Sequence, residues 1–211
     1  MSLDFIYKRH SVRQFLDKAV PRGIICEVIK AATYAPSGKN KQNWHFVVVT
    51  DKSKIREIAN IVERKNTTLS NYLKNENTIK EFKANLGYHT VFKSAPALIL
   101  VYAGYYETIA EKLIEAGIMP YDEALKYARP NPGIQNIAAA MENLQLAAAA
   151  LGYGTCWMTG PTYAAEEISE YLSFTKEGYH LVAMTPIGIP LSQKLSSPPR
   201  KPLEEVMTII D

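Results

Sequence analysis

Apolar residues recur at two periods along this chain. Between residues 21 and 35, Ile24, Ile25, Val28, Ile29 and Ala32 fall at helical spacing, with Pro21 at a first-turn position and Pro36 stopping the pattern. Residues 36–43 are polar and rich in turn formers, and they lead into Trp44 to Thr50, a mostly apolar run of strand length. A second helix is expected over 53–64, where Ile55, Ile58, Ala59 and Val62 share one face. Residues 65–91 are polar, asparagine-rich and only partly periodic. A continuous apolar run at 96–102 predicts a buried strand, and 105–128 has a weak helical pattern interrupted by Gly117 and Pro120. The stretch 134–151 is almost wholly Ala, Leu, Met, Gln and Asn, a composition that requires burial on most of the helix circumference. Gly152 ends it; a short strand at 155–158, a turn at 159–161, a helix at 164–172 and a last core strand at 179–189 follow. Helices and strands alternate without a strict βαβ repeat, which favours an α+β sandwich over a doubly wound fold.

Composition narrows the class. With 211 residues, 47% of them apolar, the chain is expected to form a single domain over 1–211 around one core. No apolar run approaches the ~18 to 20 residues that span a bilayer, and the first residues lack the regions of a secretory signal, so a soluble, cytoplasmic protein is expected. Cys26 and Cys156 are far apart and form neither a disulfide framework nor a metal spacing, and no metal is expected. The formal charge of +3 is mild and its lysines are scattered, which argues against nucleic acid and leaves a small anion as the more economical partner.

Three segments carry candidate chemistry. In Arg9-His10-Ser11-Val12-Arg13, guanidinium forks and a hydroxyl suit a phosphate monoester, although a basic run is more often a solvated face. The 36–43 loop allows close approach of backbone to a planar heterocycle, or serves simply as a connection. In 152–161, glycines let backbone N–H groups approach a ring, yet a helix cap followed by strand and turn explains them equally well. This is not GxGxxG and no strand precedes it, so a dinucleotide fingerprint is absent. Cys156 reads as a structural thiol, and His45, His89 and His180 as ordinary histidines.

Together these segments resemble the FMN-dependent nitroreductase family over nearly the whole chain. The family pattern Arg-x-Ser-x-Arg/Lys-x-Phe is matched by Arg9, Ser11, Arg13 and Phe15, and Ala-Pro-Ser-x-x-Asn-x-Gln-Pro-Trp by Ala35, Pro36, Ser37, Asn40, Gln42 and Trp44. Leu-Gly-x-Gly-Thr-x-Trp-x-x-Gly is matched by Leu151, Gly152, Gly154, Thr155, Trp157 and Gly160, and the C-terminal pattern by Gly188, Pro190, Arg200, Pro202, Leu203, Glu204 and Glu205. Asn43 departs from the family's proline, which predicts a looser loop, and position 159 is Thr where some members carry Glu.

The resemblance implies an α/β/α sandwich with a mostly antiparallel sheet, and a homodimer with FMN at its interface. It puts Arg9, Ser11 and Arg200 on the phosphate and Arg13 near the pyrimidine edge, with His10 among them. Pro36, Ser37, Gly38 and Asn40 would reach the partner's flavin, and Trp157, Met158, Thr159 and Gly160 would line the ring, the last two facing N5. The implied activity is electron transfer from NADH or NADPH through FMN to a small oxidised acceptor such as a nitroaromatic or quinone, with no catalytic side chain needed for hydride transfer. Reductive dehalogenation, flavin breakdown or FMN storage are the alternatives on the same scaffold. Residues 65–91 and 105–128, where the family sets substrate choice, match no motif, and both are candidate cover insertions over the site.

Overall fold

The computed structural model describes residues 3–192 and 198–210; Met1, Ser2, 193–197 and Asp211 lie outside the described residues. The elements run α1 (Asp4–Tyr7), α2 (Arg22–Thr33), β1 (Trp44–Val49), α3 (Lys52–Ser70), α4 (Glu76–Ala84), α5 (Leu86–His89), β2 (Ala97–Gly104), α6 (Ile109–Glu115) and α7 (Tyr121–Ala128). Then come α8 (Pro132–Ala150), β3 (Gly154–Thr155), α9 (Ala165–Tyr171) and β4 (Tyr179–Gly188). The strands form one sheet in the order β1-β2-β4-β3, antiparallel at every pairing. The expected α+β class and layered architecture hold.

β2 is buried at every position because helices cover both faces of the sheet. Its side chains alternate by the pleat: Ala97, Ile99, Val101 and Ala103 join the core with α2 and α8, whereas Leu98, Leu100 and Tyr102 join the core with α3 and α9. In β4 the alternation breaks. Val101 pairs with Ala183 but Tyr102 pairs with Leu181, so Val182 is an extra residue and Leu181 and Ala183 face opposite layers.

Local chemistry sets the helix ends. Asp51 accepts from the amides of Ser53 (2.7 Å) and Lys54 (3.3 Å), so α3 starts at Lys52, and it runs on to Ser70, beyond the apolar pattern. The interruption expected in 105–128 separates α6 from α7, with Gly117 at φ 65° and Pro120 capping α7. These two helices pack mainly on each other. α8 ends in a Schellman motif: Gly152 has φ 82°, and Tyr153 N donates to Ala148 O at 2.8 Å. In the polar 65–91 stretch the structure adds α4 and α5, of which α4 buries no residue.

Replacing Leu100, fully buried in the middle of β2, with Ala should reduce stability by about 2–5 kcal/mol in urea denaturation. A loss under about 1 kcal/mol would contradict close packing there.

Candidate functional site

The N-terminal cationic segment is laid on the sheet by backbone pairing. Ser11 forms a parallel bridge with Thr155, and Val12 N donates to Thr155 O at 2.8 Å. Gly154 is required for this approach, since a Cβ there would lie 2.5 Å from Val12 Cγ2. The result is a recess of about 150 Å³ whose walls include Lys8, Arg9, His10, Gly152, Gly154 and Thr155. Arg9 Nε lies 3.7 Å from Glu142, and Arg13 Nη1 donates to Ser11 O at 3.4 Å. Arg200 is exposed in the C-terminal segment and does not line this recess.

Beyond β3 the chain alternates in and out. Cys156 and Met158 point into the core, while Trp157 and Thr159 are exposed. The Met158 N–H and carbonyl are both committed to Met184, each bond 2.9 Å, so neither its side chain nor its backbone faces the surface that Trp157 and Thr159 present. Burial pushes the Cys156 thiol up, against the opposing pull of Arg13 and Arg9, which keeps it protonated and structural. At Gly160 the imidazole of His89 occupies the space a Cβ would take. His89 Nδ1 is in turn 3.4 Å from the Tyr163 hydroxyl, and burial lowers its pKa.

The 36–43 loop lies at the other end of the sheet. Lys39, Asn40 and Gln42 have φ of 55°, 51° and 47°, left-handed conformations that cost about 1–2 kcal/mol for ordinary residues and less for Asn. Contrary to the looseness expected from Asn43, the loop is tied down. Asn43 is buried; its Nδ2 donates to Gly104 O (3.0 Å) and Gly133 O (3.2 Å), and its Oδ1 accepts from Asn136 Nδ2 (2.8 Å). Asn136 Oδ1 then accepts from the Gly38 amide at 3.0 Å, and Ser37 Oγ accepts from Gln42 N at 3.0 Å. Tyr106, at the start of the 105–128 stretch, packs its hydroxyl where a Gly38 Cβ would stand and its Cβ 2.8 Å from the equivalent point on Gly133. Next to it, a cavity of about 440 Å³ opens between the sheet end and helices α6 and α7, lined by Tyr105, Tyr106, Tyr121, Leu125, Ile114 and Ile134 among others.

The predicted residues therefore form two groups. Arg9, His10, Ser11 and Arg13 gather beside β3, with Trp157 to Gly160 following along the sheet. Pro36 to Asn40 sit beyond Trp44, which pairs with Ala103 opposite His180. From His180 to Gly188, the partner of Gly154, the strand spans about 26 Å at ~3.3 Å per residue. Asn136, Tyr106 and the placement of His89 behind Gly160 were not anticipated; a lone Asn on the buried face of an alanine-rich helix was the available signal for the first. No cluster of three or more His, Cys, Asp or Glu among the described residues suits a metal, and no helix among them is long and apolar enough to cross a membrane.

Known proteins match this arrangement. The Nitroreductase family model matches residues 6–189. A BluB-like flavoprotein from Clostridium difficile 630 is 38% identical, with both chains fully covered and a TM-score of 0.92. Iodotyrosine deiodinase 1 of Sus scrofa is 30% identical over 98% of this chain and 68% of its own. A protein of Archaeoglobus fulgidus, provisionally named an NADH dehydrogenase/NAD(P)H nitroreductase, is 29% identical over 91% of this chain and 87% of its own.

Stability should fall as pH drops below the ordinary histidine value of about 6.5, because burial lowers the folded-state pKa of His89 and of His45, where Lys176 adds to the effect. The unfolded chain binds these protons first, so stability is full above that value and declines toward the lower folded pKa values. His89→Gln should flatten, without abolishing, the pH slope of the urea midpoint; an unchanged slope would place His89 outside this linkage.

Proposed function

The chain belongs to the nitroreductase family, and we propose that it is a homodimeric FMN oxidoreductase passing electrons from NADH or NADPH to a small oxidised acceptor, such as a nitroaromatic or quinone. The observation that carries the reading is the pairing of Ser11 and Val12 with Thr155, which gathers Arg9, Ser11 and Arg13 beside the glycines of 152–154. The donor set fits the cofactor. Of the predicted phosphate donors Arg9 lines the recess of about 150 Å³, together with Lys8 and His10, while Ser11 and Arg13 stand beside it; guanidinium and other cationic donors suit a phosphate monoester, and the recess has room for a phosphate but not for a flavin ring. The ring would lie outside it, along Trp157, Thr159 and Gly160, whose backbone would face N5, with Arg13 at the pyrimidine edge; Arg200, which stands outside the recess, would have to move in to reach the phosphate. When bound, FMN supplies the N5 atom that takes up and returns hydride; the protein orients it and places cations near its electron-rich edge.

The dimer rests on two features. The 36–43 loop and the phosphate recess lie at opposite ends of one sheet, so a two-fold-related copy is needed to bring Pro36, Ser37, Gly38 and Asn40 to the flavin. The C-terminal Leu203, Val206, Met207, Ile209 and Ile210 are exposed, as are Phe5 and Ile6 of α1, apolar surface that a partner would cover. The cytoplasm, where the reduced nicotinamides are held, is the compartment this activity fits.

The similarity to iodotyrosine deiodinase 1 favours a second reading, reductive dehalogenation of an aromatic on the same flavin, and the tyrosine-lined cavity under the cover suits an aromatic acceptor in either case. Product analysis with a nitroaromatic and a halogenated phenol separates the two.

The purified protein, reconstituted with FMN and desalted, should keep a flavin absorbance band that bleaches anaerobically on adding NADH or NADPH; a lost band would overturn the FMN reading, and a retained band that stays coloured would overturn the nicotinamide as donor. Arg9→Ala and Arg200→Ala should each weaken FMN binding by ~1.5 to 3 kcal/mol, about tenfold to a hundredfold in Kd. Unchanged fluorescence titrations in both would remove these arginines from the phosphate site.

A further inference from the structure

The amide network around Asn43 has one orientation available to it. Gly104 O and Gly133 O can only accept, so the nitrogen of Asn43 must face them; its oxygen then faces Asn136 Nδ2, and Asn136 Oδ1 is left to accept from the Gly38 amide. The two side chains are 2% and 6% exposed, so water does not compete for these bonds. The network joins the end of β2, the first turn of α8 and the loop, and Asn43 O also accepts from Gly104 N at 2.6 Å. The loop it joins carries three non-glycine residues at positive φ, a conformation that persists only where neighbours enforce it.

We propose that the Asn43–Asn136 pair is the positioning device of the 36–43 loop, enforcing by side-chain hydrogen bonds the geometry that a proline's fixed φ supports in the family pattern. It acts through the loop and does not itself touch the cofactor. Because Tyr106 rests on both Gly38 and Gly133, the start of the 105–128 segment is seated on the two points the pair ties together.

The cofactor arm of the test rests on the FMN reading, and the proteolytic arm does not. Lys39 and Lys41 are exposed, so trypsin can report the loop's rigidity in the flavin-free protein. Asn43→Ala and Asn136→Ala should each accelerate cleavage after these two lysines tenfold or more, measured by mass spectrometry at a temperature where circular dichroism shows folded protein, with cleavage elsewhere unchanged. The double variant should be no faster than either single one. Asn43→Pro, which keeps the carbonyl that Gly104 uses, should stay near the wild-type rate. Tyr106→Ala, which leaves the pair intact, should change the rate less than threefold and carries the test if an alanine variant does not fold. With FMN, the two alanine variants should raise Kd fivefold or more while Asn43→Pro does not.

Unchanged cleavage in folded alanine variants, multiplicative effects in the double variant, or a Tyr106→Ala rate matching Asn136→Ala would each overturn the proposal. A wild type that resists trypsin but binds no FMN would overturn the functional reading and leave the positioning role intact.

Discussion

Burial of β2 on both faces is the constraint from which the rest of the molecule follows. A strand with no solvent side needs a helix layer above and below, and its alternating side chains assign α2 and α8 to one layer and α3 and α9 to the other. The same strand fixes the axis of the sheet, and with it the separation between the end where residues 9–13 pair with β3 and the end where the 36–43 loop is anchored. The two groups of predicted site residues are thus parts of one frame, set at its two ends.

The frame was readable from the sequence where burial dominates. The runs at 44–50, 96–102 and 179–189 became β1, β2 and β4 within two residues, because continuous β-branched and aliphatic stretches have few other ways to be covered. The helix at 134–151 was equally plain. What escaped notice is governed by contacts distant in sequence. α4 buries no residue fully and shows only two apolar side chains, Ile79 and Phe82, on its half-buried side, and the extra residue at Val182 shows only in the pairing with β2. In the site, the cationic run and the glycines of 152–160 were legible as residue types, but that Gly154 makes room for Val12, and Gly160 for His89, depends on partners tens of residues away.

Asn43 is the clearest case. Taken locally, replacing a proline removes a restraint, since φ is no longer fixed. The side chain, however, brings hydrogen-bonding capacity that proline lacks, and Asn136, 93 residues later, supplies its complement. The outcome was decided by a residue that no local pattern connects to the loop.

Helices α6 and α7 lean chiefly on each other, and none of their residues belongs to the two large buried clusters around the sheet. Their stability is consequently a local account: the capping box of Thr108 and Glu111 and the contacts between the two helices sustain them, while the sheet beneath is indifferent to their outer residues. Substitutions of their cavity-facing residues change its walls and leave the two buried clusters around β2 as they are. A fold partitioned in this way can vary the walls of one cavity while the sheet and the helix layers on both its faces stay as they are.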